Sequence, residues 1–302
     1  MTKRVNLVGG ITVKSKTADL LLLGVAIIWG GGFPAVGVAL QNGIGPSQLI
    51  AIRFIVAALG MIIIFFRSLR QLTRTELVGG MLAGGCLFIG FAFQTIGMQY
   101  TTASKNAFIT SAYVLLVPLL GLVFLKKRMG WLQWIGIGLM IMGISILSLE
   151  NDLTFNLGDS LTLVCAVGFA LQILVTGLYA PYCNAYCFNT IQMVTVALIS
   201  MIWSAWTEPW VSIDASSLIA ILYLGGLSTL VAFLIQTVAQ RYTSEAKVGL
   251  ILSSESLFGA ILSVLILHEP ITIRLLIGGL VIFSAILMSE VNIQNLPWLK
   301  RM

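Results

Sequence analysis

A chain of 302 residues that is 58% hydrophobic, with 30 glycines and only 9% charged residues, falls outside the composition of water-soluble domains and reads as a membrane protein. A net charge of +6 would suggest nucleic acid in a soluble protein, but the 17 Lys and Arg lie in short segments between apolar runs. They read as topology signals and exclude a nucleic-acid partner.

Ten apolar runs follow one another, at 18–40, 47–66, 77–96, 103–125, 131–149, 157–179, 185–206, 216–238, 246–267 and 273–289. About 20 residues at 1.5 Å each cross a hydrocarbon core of about 30 Å, and in lipid each segment must satisfy its own backbone, so the runs are helices. Lys14 and Lys16 precede the first run as they would in a signal peptide, but that run is too long and is expected to stay. Midway along it, Trp29-Gly-Gly-Gly-Phe33-Pro34 combines close-packing glycines with a proline that removes a backbone hydrogen bond. The segment is expected either to bend and line a site or to pack tightly. Arg53 lies in the second run, seven residues after Pro46. It could neutralise an acid, hold a substrate carboxylate or bond backbone carbonyls.

From Phe91 to Gly136 the chain repeats itself without a gap at an offset of 142: Phe91 falls on Phe233, Gln94 on Gln236, Thr95 on Thr237, Tyr100 on Tyr242, Lys105 on Lys247 and Ser111 on Ser253. The polar matches are not composition noise, so the chain is an internal duplication. Setting Asp19 on Asp159 places Gln172 at the depth of the WGGGFP segment. Five helices per half force the second copy to enter from the opposite side. The expected fold is therefore an all-α membrane protein of ten transmembrane helices in two inverted five-helix repeats, 18–149 and 157–290, flanked by cytoplasmic segments 1–17 and 291–302. With the N-terminus inside, 14 of the 17 basic residues fall on the cytoplasmic side.

Glu255 lies eight residues after Lys247, about 12 Å along the helix and near the bilayer midplane. A carboxylate there must be protonated, paired or wet, so it is a proton-coupling acid, a counter-charge for a cationic group, or a structural partner of Arg53. Tyr113 occupies the equivalent position in the first copy, and a cavity between them would offer a phenol from one half and an acid from the other. Gln94 and Gln236 either face that cavity or bond across helices. Ser253, Ser254 and Ser256 could complete a polar wall, while Lys105 and Asn106 are expected at the outer mouth. The cysteines Cys86, Cys165, Cys183 and Cys187 form no disulfide framework; Cys183 and Cys187, spaced C-x3-C with His268 far away, read as free thiols rather than a metal site. No Walker A sequence, HExxH motif or nucleophile with a histidine base appears, so neither a cofactor nor a metal is expected and catalysis is disfavoured.

Two five-helix halves, the WGGGFP segment, the PSQLIAIRF run at 46–54 and the duplicated helix ends at LVFLKKR and ILHEP together resemble the drug/metabolite transporter superfamily, EamA type. The resemblance implies a central cavity between the halves, both termini in the cytoplasm, and alternating access, usually for export of amino acids or small metabolites across the bacterial inner membrane. The first copy departs from it with Lys126-Lys127-Arg128 where the second has His268-Glu269-Pro270. The expected partners are a small-molecule substrate and the lipid bilayer, with the chain a monomer or a homodimer. An uncoupled facilitator, a drug efflux protein, or a membrane enzyme or lipid-handling factor are the alternatives.

Overall fold

The computed structural model describes residues 15–126, 129–149, 156–207, 209–243 and 245–290. The predicted flanking segments fall almost wholly outside these residues, as do Lys3, Arg4, Lys14, Lys127, Arg128, Glu150, Asp152, Glu208, Lys300 and Arg301. Among the described residues the regular elements are helices and no β-strand occurs. They are α1 (Ser15–Gln41), α2 (Pro46–Leu69), α3 (Arg74–Met98), α4 (Ala103–Thr110), α5 (Tyr113–Leu125), α6 (Trp131–Ser148), α7 (Leu157–Tyr179), α8 (Ala185–Thr207), α9 (Ala215–Leu222), a π-helical stretch (Tyr223–Val231), α10 (Ala232–Ala239), α11 (Glu245–Ser253), α12 (Glu255–Leu267) and α13 (Ile273–Glu290). Nine spans among them are long and apolar enough to cross a membrane, and the tenth, Ile273–Met288, is apolar but shorter. The chain is a multi-pass helical membrane protein.

Polar residues at the span edges start the helices. Thr73 and Glu76 form a capping box on α3, Asn156 accepts from Gly158 and Asp159 at the head of α7, and Asp214 accepts from Ser216 and Ser217 ahead of α9. The contacts between halves come in exchanged pairs: α3 packs on α7 as α1 packs on α10, while α2 meets α8 and α6 meets α13. Most informative is that α4 packs on α12 and α5 on α11, with Gly259 against Ala107 and Gly249 against Val114. The two copies of one sequence therefore cross antiparallel, which is the inversion that five spans per half require. Where α3 crosses α7 the backbones touch: a Cβ on Gly168 would lie 2.6 Å from the Gly90 nitrogen.

Three spans expected to be continuous are subdivided. The fourth breaks at Ser111–Ala112 and the ninth at Ser254, so Tyr113 and Glu255 each begin a new helical segment. The cause is the same in both copies. Ser111 Oγ donates to Phe108 O at 2.5 Å and Ser253 Oγ to Leu250 O at 2.6 Å, while Ala112 N and Ser254 N bond carbonyls only three residues back. Hydroxyls that take backbone carbonyls tighten the turn and interrupt the α-helical ladder. These segments also end alike: Lys126 and His268, 142 apart, adopt left-handed backbone at φ 53° and 54°. In the eighth span, Tyr223–Val231 widens to a π-helix, whereas its duplicate at 81–89 lies within the regular α3.

The WGGGFP segment does not open. Helix α1 runs unbroken through Pro34, because Gly30 lies against the Cβ of Phe258 and Gly31 against Tyr223, whose hydroxyl donates to Ile28 O at 2.6 Å. The glycines admit neighbouring helices, and tight packing accounts for them.

Candidate functional site

A narrow cavity lies between the halves, lined from α1 by Trp29, Gly32, Phe33 and Val36, and from α2 by Arg53. Phe91, Gln94 and Met98 of α3 and Tyr113 of α5 complete the first half's share; Phe169, Gln172 and Ile173 of α7, Ser228, Phe233, Gln236 and Glu255 come from the second. The lining is largely symmetric. Phe91 and Phe233, Gln94 and Gln236, and Tyr113 and Glu255 are pairs at the offset of 142, and Trp29 and Phe169 pair at the offset that sets Asp19 on Asp159.

Aromatic rings form most of the wall. Trp29 and Phe233 lie 4.8 Å apart between centroids, Phe91 and Phe169 5.1 Å in an edge-to-face contact, and Tyr113 and Phe169 6.5 Å. Trp29 Nε1 donates to Ser228 O at 2.8 Å, tying α1 to the π-helical stretch.

Arg53 is 4% exposed and makes no ion pair with Glu255. Its Nε donates to Thr229 Oγ1 at 2.6 Å and its terminal nitrogen to Ser228 Oγ at 3.2 Å, while the guanidinium carbon lies 4.2 Å from the Phe91 ring centre. Both hydroxyls come from the π-helical stretch, whose wider turn brings Ser228 and Thr229 to one buried cation. Glu255 is 5% exposed, and among the described residues no cation pairs with it. Its neighbour is the Tyr113 phenol, whose hydroxyl faces the carboxylate at the edge of hydrogen-bond reach.

The glutamines do both things expected of them. Gln94 Nε2 donates to Thr110 Oγ1 at 3.2 Å; Gln236 Nε2 donates to Gln172 Oε1 at 3.4 Å, and Gln172 Nε2 to Gln192 Oε1 at 3.3 Å. Gln236 Oε1 is left buried without a partner among the described residues, so it offers an unfilled bonding position. Ser253 stands apart: its hydroxyl bonds its own helix and it does not line the cavity. Asn106 is fully buried, donating to Gln94 O and Thr162 Oγ1 rather than facing an outer mouth, and Lys105 pairs with Asp159 at 3.6 Å. Cys183 and Cys187 are free thiols, and burial pushes the Cys183 thiol up to about 11.

A second, wider depression is lined by Gln41, Gln99, Thr101, Thr102 and Glu269, and it shares Met98 with the central cavity. Glu269 accepts from the backbone of Ala103 at 2.7 Å and Ser104 at 3.1 Å, capping α4. That role explains why the helix end in the second copy differs from the Lys-Lys-Arg of the first.

Sequence reasoning missed Ser228, Thr229, Gln192 and the phenylalanines. The duplicated Phe91 and Phe233 were visible as a repeat; the hydroxyl pair had no signal, because its partner lies 175 residues away.

The profile of the EamA-like transporter family matches residues 16–149 and 156–290. An uncharacterized transporter of Archaeoglobus fulgidus is 31% identical over 285 residues, covering 94% of this chain and 89% of that protein. The uncharacterized transporter YdfC of Bacillus subtilis is 21% identical, covering 94% of each. A solved crystal structure superposes with a TM-score of 0.70 at 16% identity, over 92% of this chain and 97% of that one, which bears on the fold alone.

Proposed function

Since the chain belongs to the EamA-like transporter family, we propose that it is a secondary active transporter that exports amino acids or similar small amphipathic metabolites by alternating access. The observation that carries the substrate class is that Arg53 and Glu255, each at most 5% exposed, line one cavity without an oppositely charged partner. Two buried charges of opposite sign are costly unless something completes them. A ligand with a carboxylate for Arg53, an ammonium group for Glu255 and an apolar body for the rings completes both.

Glu255 is the coupling acid in this reading: protonated it loses its hold on the ammonium group, and ionised it regains it. The abundance of Lys and Arg on one side of the spans supports both termini in the cytoplasm, and the resemblance supports a bacterial inner membrane. Membership of a transporter family speaks for a non-enzyme.

The test is proton-driven uptake of a panel of amino acids and cationic drugs into proteoliposomes. Glu255→Gln is expected to abolish the response to a pH gradient while the protein stays folded. An unchanged response would take the coupling role away from Glu255, and an unmutated protein indifferent to the gradient would be an uncoupled facilitator.

A further inference from the structure

We propose that two ion pairs, Lys105–Asp159 and Lys247–Asp19, are the opposing gates of the transport cycle, each closing one face of the central cavity. Lys105 and Lys247 occupy equivalent positions in the duplication, and Asp19 and Asp159 do likewise at the heads of α1 and α7. Each pair joins one half of the chain to the other: the first half's lysine holds the second half's aspartate at 3.6 Å, and the second half's lysine holds the first half's aspartate at 2.8 Å. It is a single contact made twice, with the partners exchanged.

The two copies lie on opposite faces. Asp19 is near the start of α1, and Lys247 is reached after an even number of crossings, so both sit on the face where α1 begins. Lys105 follows three crossings and Asp159 five, which places them on the other face. Each lysine precedes by eight residues the position that lines the cavity, Tyr113 or Glu255, so each gate lies about 12 Å from the centre. Thr101 donates to Asp159 at 2.5 Å and also lines the depression that reaches Met98, so this pair stands at the rim of a route to the cavity.

A contact between halves at one face must break when the halves part there. Rocking about the pseudo-two-fold axis opens one pair and keeps the other closed, and both are made in this structure. The gates differ in kind: Lys105 and Asp159, 29% and 0% exposed, meet at 3.6 Å, whereas Lys247 and Asp19, 43% and 26% exposed, are hydrogen-bonded at 2.8 Å. The inference rests on alternating access but not on substrate identity or on coupling through Glu255.

Labelling of a cavity thiol tests it without any substrate. In a background with Cys86, Cys165, Cys183 and Cys187 replaced by serine, Val36→Cys places a reporter on the cavity wall, and a membrane-impermeant maleimide is applied to vesicles of each orientation. Lys247→Ala is expected to speed labelling about five-fold from the face where α1 begins, as loss of a half-exposed pair predicts. Lys105→Ala is expected to speed it from the other face only. Because Lys105→Ala strands a buried carboxylate, Thr101→Val, which removes one bond to Asp159 and leaves the ion pair, serves as the milder variant for the same face. Exchanging the charges, Lys247→Asp with Asp19→Lys, should restore slow labelling. Acceleration from the same face by variants of both pairs, or from neither, would overturn the proposal, and either result stands whatever becomes of Glu255→Gln.

Discussion

Thr229 offers a way to separate a substrate-holding Arg53 from a merely structural one. Thr229→Val keeps the branched shape and deletes the hydroxyl that accepts from Arg53 Nε at 2.6 Å, leaving the longer 3.2 Å bond to Ser228 and the Phe91 ring at 4.2 Å. A hydrogen bond from a charged donor contributes about 1.5–3 kcal/mol, and a loss of about 2 kcal/mol reduces the correctly aimed guanidinium about thirty-fold. Phe91 still holds the cation, so the group is re-aimed rather than expelled. In proteoliposomes the half-saturating concentration of a zwitterionic amino acid is expected to rise about ten- to thirty-fold, while that of its carboxamide, which offers Arg53 no charge, moves little. If both ligands lose affinity equally, or if thermal stability falls while discrimination between them is intact, Arg53 braces the π-helical stretch and does not meet substrate.

Gly168→Ala places a methyl group 2.6 Å from the Gly90 nitrogen, a backbone atom that cannot turn aside, and is expected to destabilise the protein by about 1–3 kcal/mol in thermal unfolding in detergent. An unchanged midpoint would mean that α3 and α7 do not touch there. The hydroxyls of Ser216 and Ser217 hold the Asp214 carboxyl down to about 2, and Asn42 joins the same cluster from the end of α1. Because this value is depressed, its contribution is complete above the ordinary carboxylate range and is lost as pH falls through about 2. Asp214→Ala should therefore lower stability at neutral pH and leave it unchanged at the acid limit, as read by thermal scans across pH.

The spans were legible because the bilayer demands apolar length, and the inversion was legible because five crossings per half allow no other arrangement. The breaks were not. Ser111 and Ser253 sit inside runs whose hydropathy barely changes, and whether a serine hydroxyl takes the carbonyl three residues back depends on local geometry rather than composition. The WGGGFP segment left two readings open and meets part of each: Phe258 and Tyr223 pack against its glycines while α1 runs unbroken, yet Trp29, Gly32 and Phe33 line the cavity. Lys105 was legible as a helix-start cation, yet its partner depended on how α4 and α7 meet. Of the predicted site residues, Trp29, Arg53, Gln94, Tyr113, Gln172, Gln236 and Glu255 share one cavity. They were found because polar groups in lipid are expensive, and expense is readable one residue at a time.

Duplication itself sorts the residues by task. A rocking motion about a two-fold axis must present the same contacts at both faces, so whatever guides the motion should appear twice, as the crossed ion pairs, the serine-broken helices and the left-handed caps do. Recognition of an asymmetric ligand needs the reverse, since a site with true two-fold symmetry would bind it in two opposed orientations. The symmetry fails at the charges. Glu255 faces a tyrosine across the axis, and Arg53 lies on α2 while α8, which packs against it, carries no arginine. The π-helical stretch that supplies Ser228 and Thr229 is likewise present in only one copy. The charges that would fix a ligand's direction are thus unpaired, while Phe91 and Phe233, and Gln94 and Gln236, have stayed paired around them, and Gln172 stands where the first copy has Gly32.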